Sequence, residues 1–141
     1  MFATPKEAEQ AFYAALARGD IEALMQVWAS DDEEIICVHP GGLRLIGHLA
    51  VRESWESILS HGGLHIETAK VVELANMVGA THCVIEQIQA QGPNGTEYAY
   101  CYATNVFHKG PAGWRLVLHH ASAAPQQASA IDLHDKPGTL H

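Results

Sequence analysis

Histidine is the residue type best placed to do chemistry in this chain: there are ten, against eight lysines and arginines together. An imidazole titrates near neutral pH, so a positioned histidine can take or give a proton without a metal. His39 closes the apolar stretch IICVH just before Pro40-Gly41-Gly42, and His119 and His120 lie side by side in WRLVLHHAS. Adjacent residues of a strand face opposite ways, so at most one of that pair can share a pocket with His39. Cys37 stands two residues before His39, on the same side of its strand. Neighbours at that spacing are about 7 Å apart along a strand, long for a thiol–imidazole nucleophile pair. A two-histidine, one-carboxylate metal set could be assembled from His39, His120 and Asp31 or Asp32, but no HExxH-type spacing supports it. No metal and no cofactor is therefore assigned. GxGxxG, Walker and GxSxG patterns are absent, and GPNGT is a turn with no helix behind it to receive a phosphate.

The elements that must position these groups are legible from capping and periodicity. TPKE at Thr4–Glu7 reads as a helix start, with Ala8, Ala11, Phe12, Ala15 and Leu16 at helical spacing and Gly19 as the stop. Asp20 caps a second helix carrying Ile21, Leu24, Met25 and Trp28. EEIICVH is β-like and ends at Pro40, because proline lacks the ladder N–H. After a short extended piece, LRLI, Gly47 leads a third helix with Val51, Trp55, Ile58 and Leu59. Four β-like segments follow, from Leu64, Val78, Glu97 and Trp114, separated by Asn76, GPNG and KGPAG, which suit antiparallel hairpins. The order ααβαββββ predicts an α+β fold: three N-terminal helices packed on a curved, mainly antiparallel sheet that forms a cone. One domain is expected over residues 1–124, followed by a tail, 125–141, that is disordered or docked on a partner.

Pairing His108 with Trp114 across KGPAG puts Tyr102, Leu118 and His120 on one face with Trp114 and Leu116. Asn105, Phe107, Val117 and His119 fall on the other. The first set is the more core-like, which makes His120 the expected pocket histidine. Asn105 would donate to a ligand carbonyl if its own face looks inward, or bond across the ladder if it does not. Both faces are apolar, so the outer one is expected to bury itself in a homodimer.

Composition narrows the partners. A formal net charge of −8, spread along the chain, argues against nucleic acid or an anionic membrane surface. No apolar run approaches the ~20 residues of a membrane span. Three cysteines at wide spacing, with no CxxC pair, read as reduced thiols, and MFATPKEAEQ lacks the features of a signal peptide, so a cytoplasmic location is expected.

A helix ending in RGDIEALMQVWASD, a strand ending in VHPGG, a Gly47-led helix and a terminal WRLVLHHAS together resemble the SnoaL-like branch of the NTF2-like (cystatin-like cone) superfamily, over about residues 4–124. The resemblance implies the cone fold and no single activity, because the fold hosts isomerases, dehydratases, epoxide hydrolases, polyketide cyclases and non-catalytic assembly modules. In the ketosteroid isomerases of this superfamily a catalytic aspartate precedes the proline that ends the first strand, and His39 stands at that position. The isomerase's oxyanion-stabilising tyrosine would fall at about Phe12, with Tyr13 one position off on another face, and its protonated aspartate at about Ala103. The resemblance therefore does not imply a steroid isomerase. The SnoaL-like pattern also carries a histidine six residues after its last tryptophan, which here is His120. The reading is a cofactor-independent isomerase, lyase or cyclase acting on a small hydrophobic carbonyl compound. His39 would be the base, His120 the second acid/base group, and Phe12, Trp28, Trp55, Tyr102, Asn105 and Leu118 the pocket. The alternative is a ligand-binding or dimerisation module without chemistry.

Overall fold

A computed structural model describes residues 1–30 and 33–125. Asp31, Asp32 and the expected tail beyond Pro125 lie outside the described residues. Thr4 caps helix α1 (Pro5–Arg18) by accepting from the Glu7 N–H at 3.1 Å, while the Glu7 carboxylate reaches back to the Ala3 N–H at 2.8 Å. Gly19, at φ +67°, closes α1 with left-handed backbone that a side chain would resist. Asp20 caps α2 (Ile21–Val27) through the Ala23 N–H. Strand β1 (Ile36–Val38) pairs antiparallel with β2 (Arg44–Ile46), which is the LRLI piece, and Gly47 then leads α3 (His48–Ile58).

Four longer strands complete the sheet: β3 (Ile66–Ala75), β4 (Gly79–Gly92), β5 (Gly95–Gly110) and β6 (Gly113–Ala123). The spatial order is β2-β1-β6-β5-β4-β3, antiparallel throughout except that β1 runs parallel to β6. Pro93-Asn94 and Pro111-Ala112 turn the two long hairpins. The curved sheet wraps the helices, and Phe12 sits at the centre of the core with edge-on contacts to Tyr13, Trp28 and Trp55 at ring separations of 5.0, 6.3 and 5.7 Å.

One irregularity decides which side chains enter that core. Near the hairpin β5 and β6 pair as Lys109↔Trp114 and Phe107↔Leu116, but the next pair is Val106↔Leu118. Val117 is the extra residue of a β-bulge, and a bulge resets the alternation of its strand. Trp114 and Leu116 before it and His119 and Ala121 after it therefore all face the helices. Strict alternation would have carried His120 inward instead. His120 is exposed on the convex face, and Tyr102 (paired with Ser122) and Leu118 stand on that side with it. The expected pairing of His108 with Trp114 is off by one residue before the bulge and by two after it.

Gly63 gives a direct test of how closely α1 packs on the loop before β3. A Cβ there would lie 2.0 Å from the Ala17 carbonyl oxygen, which is backbone and cannot move aside. Gly63→Ala is expected to destabilise the fold by about 2 kcal/mol or more. Gly41→Ala, whose Cβ would meet nothing within 4 Å but whose φ is +69°, should cost only about 1 kcal/mol. Urea unfolding of the two variants measures the difference.

Candidate active site on the concave face

Strand pairing places the histidines. Cys37 lies beside His119 and Val38 beside His120 in the parallel β1–β6 ladder. Cys37, His39 and His119 therefore look inward, while Val38 and His120 look out. His39 and His120 are on opposite sides of the sheet, so they form neither an acid/base pair nor a metal set. Among the described residues no group of three or more metal-ligating side chains converges.

His119 takes the place expected of His120. It is 3 % exposed, with its ring 5.1 Å from Phe12 and 5.9 Å from Trp55. His39 is half-buried at the edge of this cluster, its ring edge-on to Trp55 at 4.6 Å. Ser54 on α3 spends its hydroxyl proton on the Val51 carbonyl at 2.8 Å, so the 3.0 Å contact to His39 requires Nε2–H of His39 to donate. That leaves Nδ1 of His39 as its free acceptor. Cys37 Sγ comes within 3.7 Å of His39 Nε2, closer than strand spacing suggested, because both side chains lean inward. Burial pushes the Cys37 thiol up to about 12, only partly opposed by the Trp55 indole, so it is no nucleophile at neutral pH.

Behind His119 lies a buried polar network. Asn105 Oδ1 is 2.6 Å from His119 Nδ1, and Asn105 Nδ2 donates to Glu9 Oε2 at 3.0 Å and to the Tyr13 hydroxyl oxygen at 3.1 Å. The Tyr13 hydroxyl in turn donates to Glu86 Oε2 at 2.7 Å, and that oxygen is 4.0 Å from His119 Nε2. His82 Nδ1 is 3.1 Å from Glu9 Oε1, close enough for an ion pair but out of line for a hydrogen bond. Desolvation dominates the protonation states. Burial lifts the Glu86 carboxyl to about 7, although the Tyr13 hydroxyl pulls the other way. Burial holds His119 down to about 3, helped by repulsion from His39 and His120, and it lowers His39 as well. Tyr13 is raised well above the ordinary phenol by burial and by Glu86. The result is a carboxyl that can carry a proton at neutral pH beside an imidazole that does not.

Of the expected pocket, Phe12, Trp28, Trp55 and Asn105 are buried on this face, while Tyr102 and Leu118 are not part of it. Tyr13, expected to point elsewhere, contributes its hydroxyl. Glu9, Glu86 and His82 were missed, and His119 was expected on the outer face. The signal for Glu86 was present, since alternation in HCVIE puts His82, Val84 and Glu86 on one face. Glu9 sits among the apolar spacing of α1, four residues before Tyr13. An open groove of about 930 Å³ bordered by Trp28, Leu49 and Arg115 lies at the start of β6, apart from this cluster.

The comparisons with known proteins agree with this architecture. The sequence pattern of the SnoaL-like domain matches residues 6–126. The chain belongs to the SnoaL-like domain family. This SnoaL-like domain is 34% identical to a Thiobacillus denitrificans protein described as a candidate calcium/calmodulin-dependent protein kinase type II association domain, with a TM-score of 0.80 over 89% of this chain and 98% of that one. It is 30% identical to a candidate dehydratase of the NTF2-like family from Streptomyces avermitilis, with a TM-score of 0.77 over 83% and 91% of the two chains. A ketosteroid isomerase-like protein from Erwinia carotovora atroseptica, 19% identical with a TM-score of 0.68 over 85% and 94%, shares the fold. No functionally curated protein matches the sequence. No helix among the described residues is long and apolar enough to cross a membrane.

The Glu86 assignment makes a pH-dependent prediction. Below about pH 4.5 the group is protonated whether the chain is folded or not, and between there and about 7 only the folded chain holds the proton. The folded state thus loses stability as pH rises through that window, by up to about 3 kcal/mol at full ionisation. His119 acts in the opposite sense, costing stability as pH falls below its ordinary value of 6.5. Glu86→Gln, which keeps an acceptor for Tyr13, should therefore gain stability relative to wild type at pH 8 compared with pH 4.5. Urea denaturation at the two pH values checks this double difference.

Proposed function

We propose that the concave face of this SnoaL-like domain is an active site for cofactor-independent proton transfer in a small hydrophobic carbonyl compound, of the isomerase, lyase or cyclase type. The observation that carries the reading is the buried Glu86 carboxyl, raised to about 7, with its oxygen 4.0 Å from the neutral His119 ring. A group poised near the working pH is the most effective acid or base, and such values cluster at functional sites. His39, half-buried with Nδ1 free, is the base at the entrance. Glu86 is the internal acid, with His119 as its partner in place of His120, and Phe12, Trp28 and Trp55 are the walls. The likeness to a candidate dehydratase at 30% identity favours elimination among the three reaction types.

The test is deuterium exchange and turnover with a panel of hydrophobic ketones and β-hydroxy carbonyl compounds, chosen after native mass spectrometry of protein purified without added ligand. His39→Ala and Glu86→Gln should each lower kcat by about 10²-fold or more, and His120→Ala should leave it unchanged. An unmoved rate in Glu86→Gln, or an equal loss in His120→Ala, overturns the assignment.

A second reading, an assembly module in a homodimer closed by the convex face, is favoured by a different observation. That face exposes Val72, Leu74 and Tyr102, and beyond it Met77 and Val78 are also bare. The likeness to an association domain at 34% identity supports it. Under this reading Leu74→Glu separates a dimer into monomers in sedimentation velocity, while Glu86→Gln leaves the dimer intact.

A further inference from the structure

Glu9 is the buried carboxylate that the proposed chemistry does not use. It is 7 % exposed on the inner side of α1, held by His82 and Asn105, and His82 Nε2 reaches the half-exposed Glu73 carboxylate at 3.7 Å. The neighbour it controls is Asn105. A side-chain amide has two opposite ends, one that only donates and one that only accepts. A carboxylate offers only lone pairs, and Asn105 accordingly turns its NH₂ toward Glu9 Oε2, 3.0 Å away. Its Oδ1 is then committed to His119 Nδ1 at 2.6 Å, and an acceptor there requires the ring proton to sit on Nδ1.

Tyr13 makes this choice less firmly. Its hydroxyl, 3.1 Å from Asn105 Nδ2, accepts from the amide while its own proton goes to Glu86, but a protonated Glu86 can donate to it instead and free that proton for either end of the amide. We propose that Glu9 is a positioning residue that fixes the tautomer of His119 through Asn105, so that Nε2 is the bare nitrogen presented to Glu86. Its catalytic consequence rests on the proton-transfer reading above; the tautomer itself does not. With the proton moved to Nε2, His119 would offer Glu86 a donor instead of a lone pair. The polarity of the pair would reverse without any change in packing.

Long-range ¹⁵N–¹H spectra of the imidazole rings separate the two tautomers directly. Wild type is expected to show His119 as the Nδ1–H form. Glu9→Leu, which removes the constraint on the amide, should raise the Nε2–H population at least several-fold. The double variant Glu9→Leu with Asn105→Asp should restore Nδ1–H, because a carboxylate at 105 again offers His119 only an acceptor. An Nε2–H ring in wild type overturns the proposal, as does an unchanged Nδ1–H ring in a folded Glu9→Leu. Should Glu9→Leu fail to fold, Asn105→Leu carries the test, and a retained Nδ1–H preference there overturns it. The spectra need no substrate. A normal tautomer response in a protein that turns over nothing in the panel counts against the proton-transfer reading alone. Turnover with an unresponsive tautomer counts against Glu9 alone.

Discussion

One side-chain amide, that of Asn105, joins four polar groups from three different elements beneath the aromatic core. It receives the His119 ring from β6, gives its two protons to Glu9 and Tyr13 of α1, and through Tyr13 is linked to Glu86 of β4. Each of these groups, left without a partner, would cost about 1–3 kcal/mol in so dry a place. Together they form a chain in which the donors of Asn105, Tyr13 and His119 each meet an acceptor, and that helps α1 press a carboxylate and a phenol against the sheet. The same bonds tie α1 to β4 and β5 and join β5 to β6 through side chains as well as through the ladder.

The Val117 bulge supplies the other half of the arrangement. Without it Trp114 and His119 could not share a face, and either the aromatic core or the polar network would lose a member. The extra residue bends β6 where β1 joins it in parallel, bringing Cys37 and His119 side by side and leaving His39 at the open margin. The aromatic core and the polar network are thus served by one strand whose alternation resets midway.

Desolvation then divides the titratable groups by depth. His119, fully enclosed, stays neutral; Glu86, equally dry but bonded to Tyr13, stops near 7; His39, half in water, is lowered by burial as well. Two groups whose values are pushed apart by their surroundings are the ordinary means by which one fold runs acid and base chemistry together. Here the separation arises from burial more than from any charged partner, since loss of water is the largest cause for each group.

The sequence by itself determined the elements. Thr4, Asp20, Gly19 and Pro40 mark their own boundaries through local hydrogen bonding and backbone geometry, and the αα-then-β order with its two tight hairpins is enough to place the fold in its class. It also singled out His39, because a strand end before proline is a local feature. Only the tertiary structure decided which of His119 and His120 enters the cone, since a bulge is fixed by how β5 and β6 pair and leaves no mark on the residue types around Val117. The cluster of Glu9, Tyr13, Glu86 and Asn105 was likewise decided in three dimensions. Its members lie up to 96 residues apart, and none of them is unusual until the others are packed against it and water is excluded.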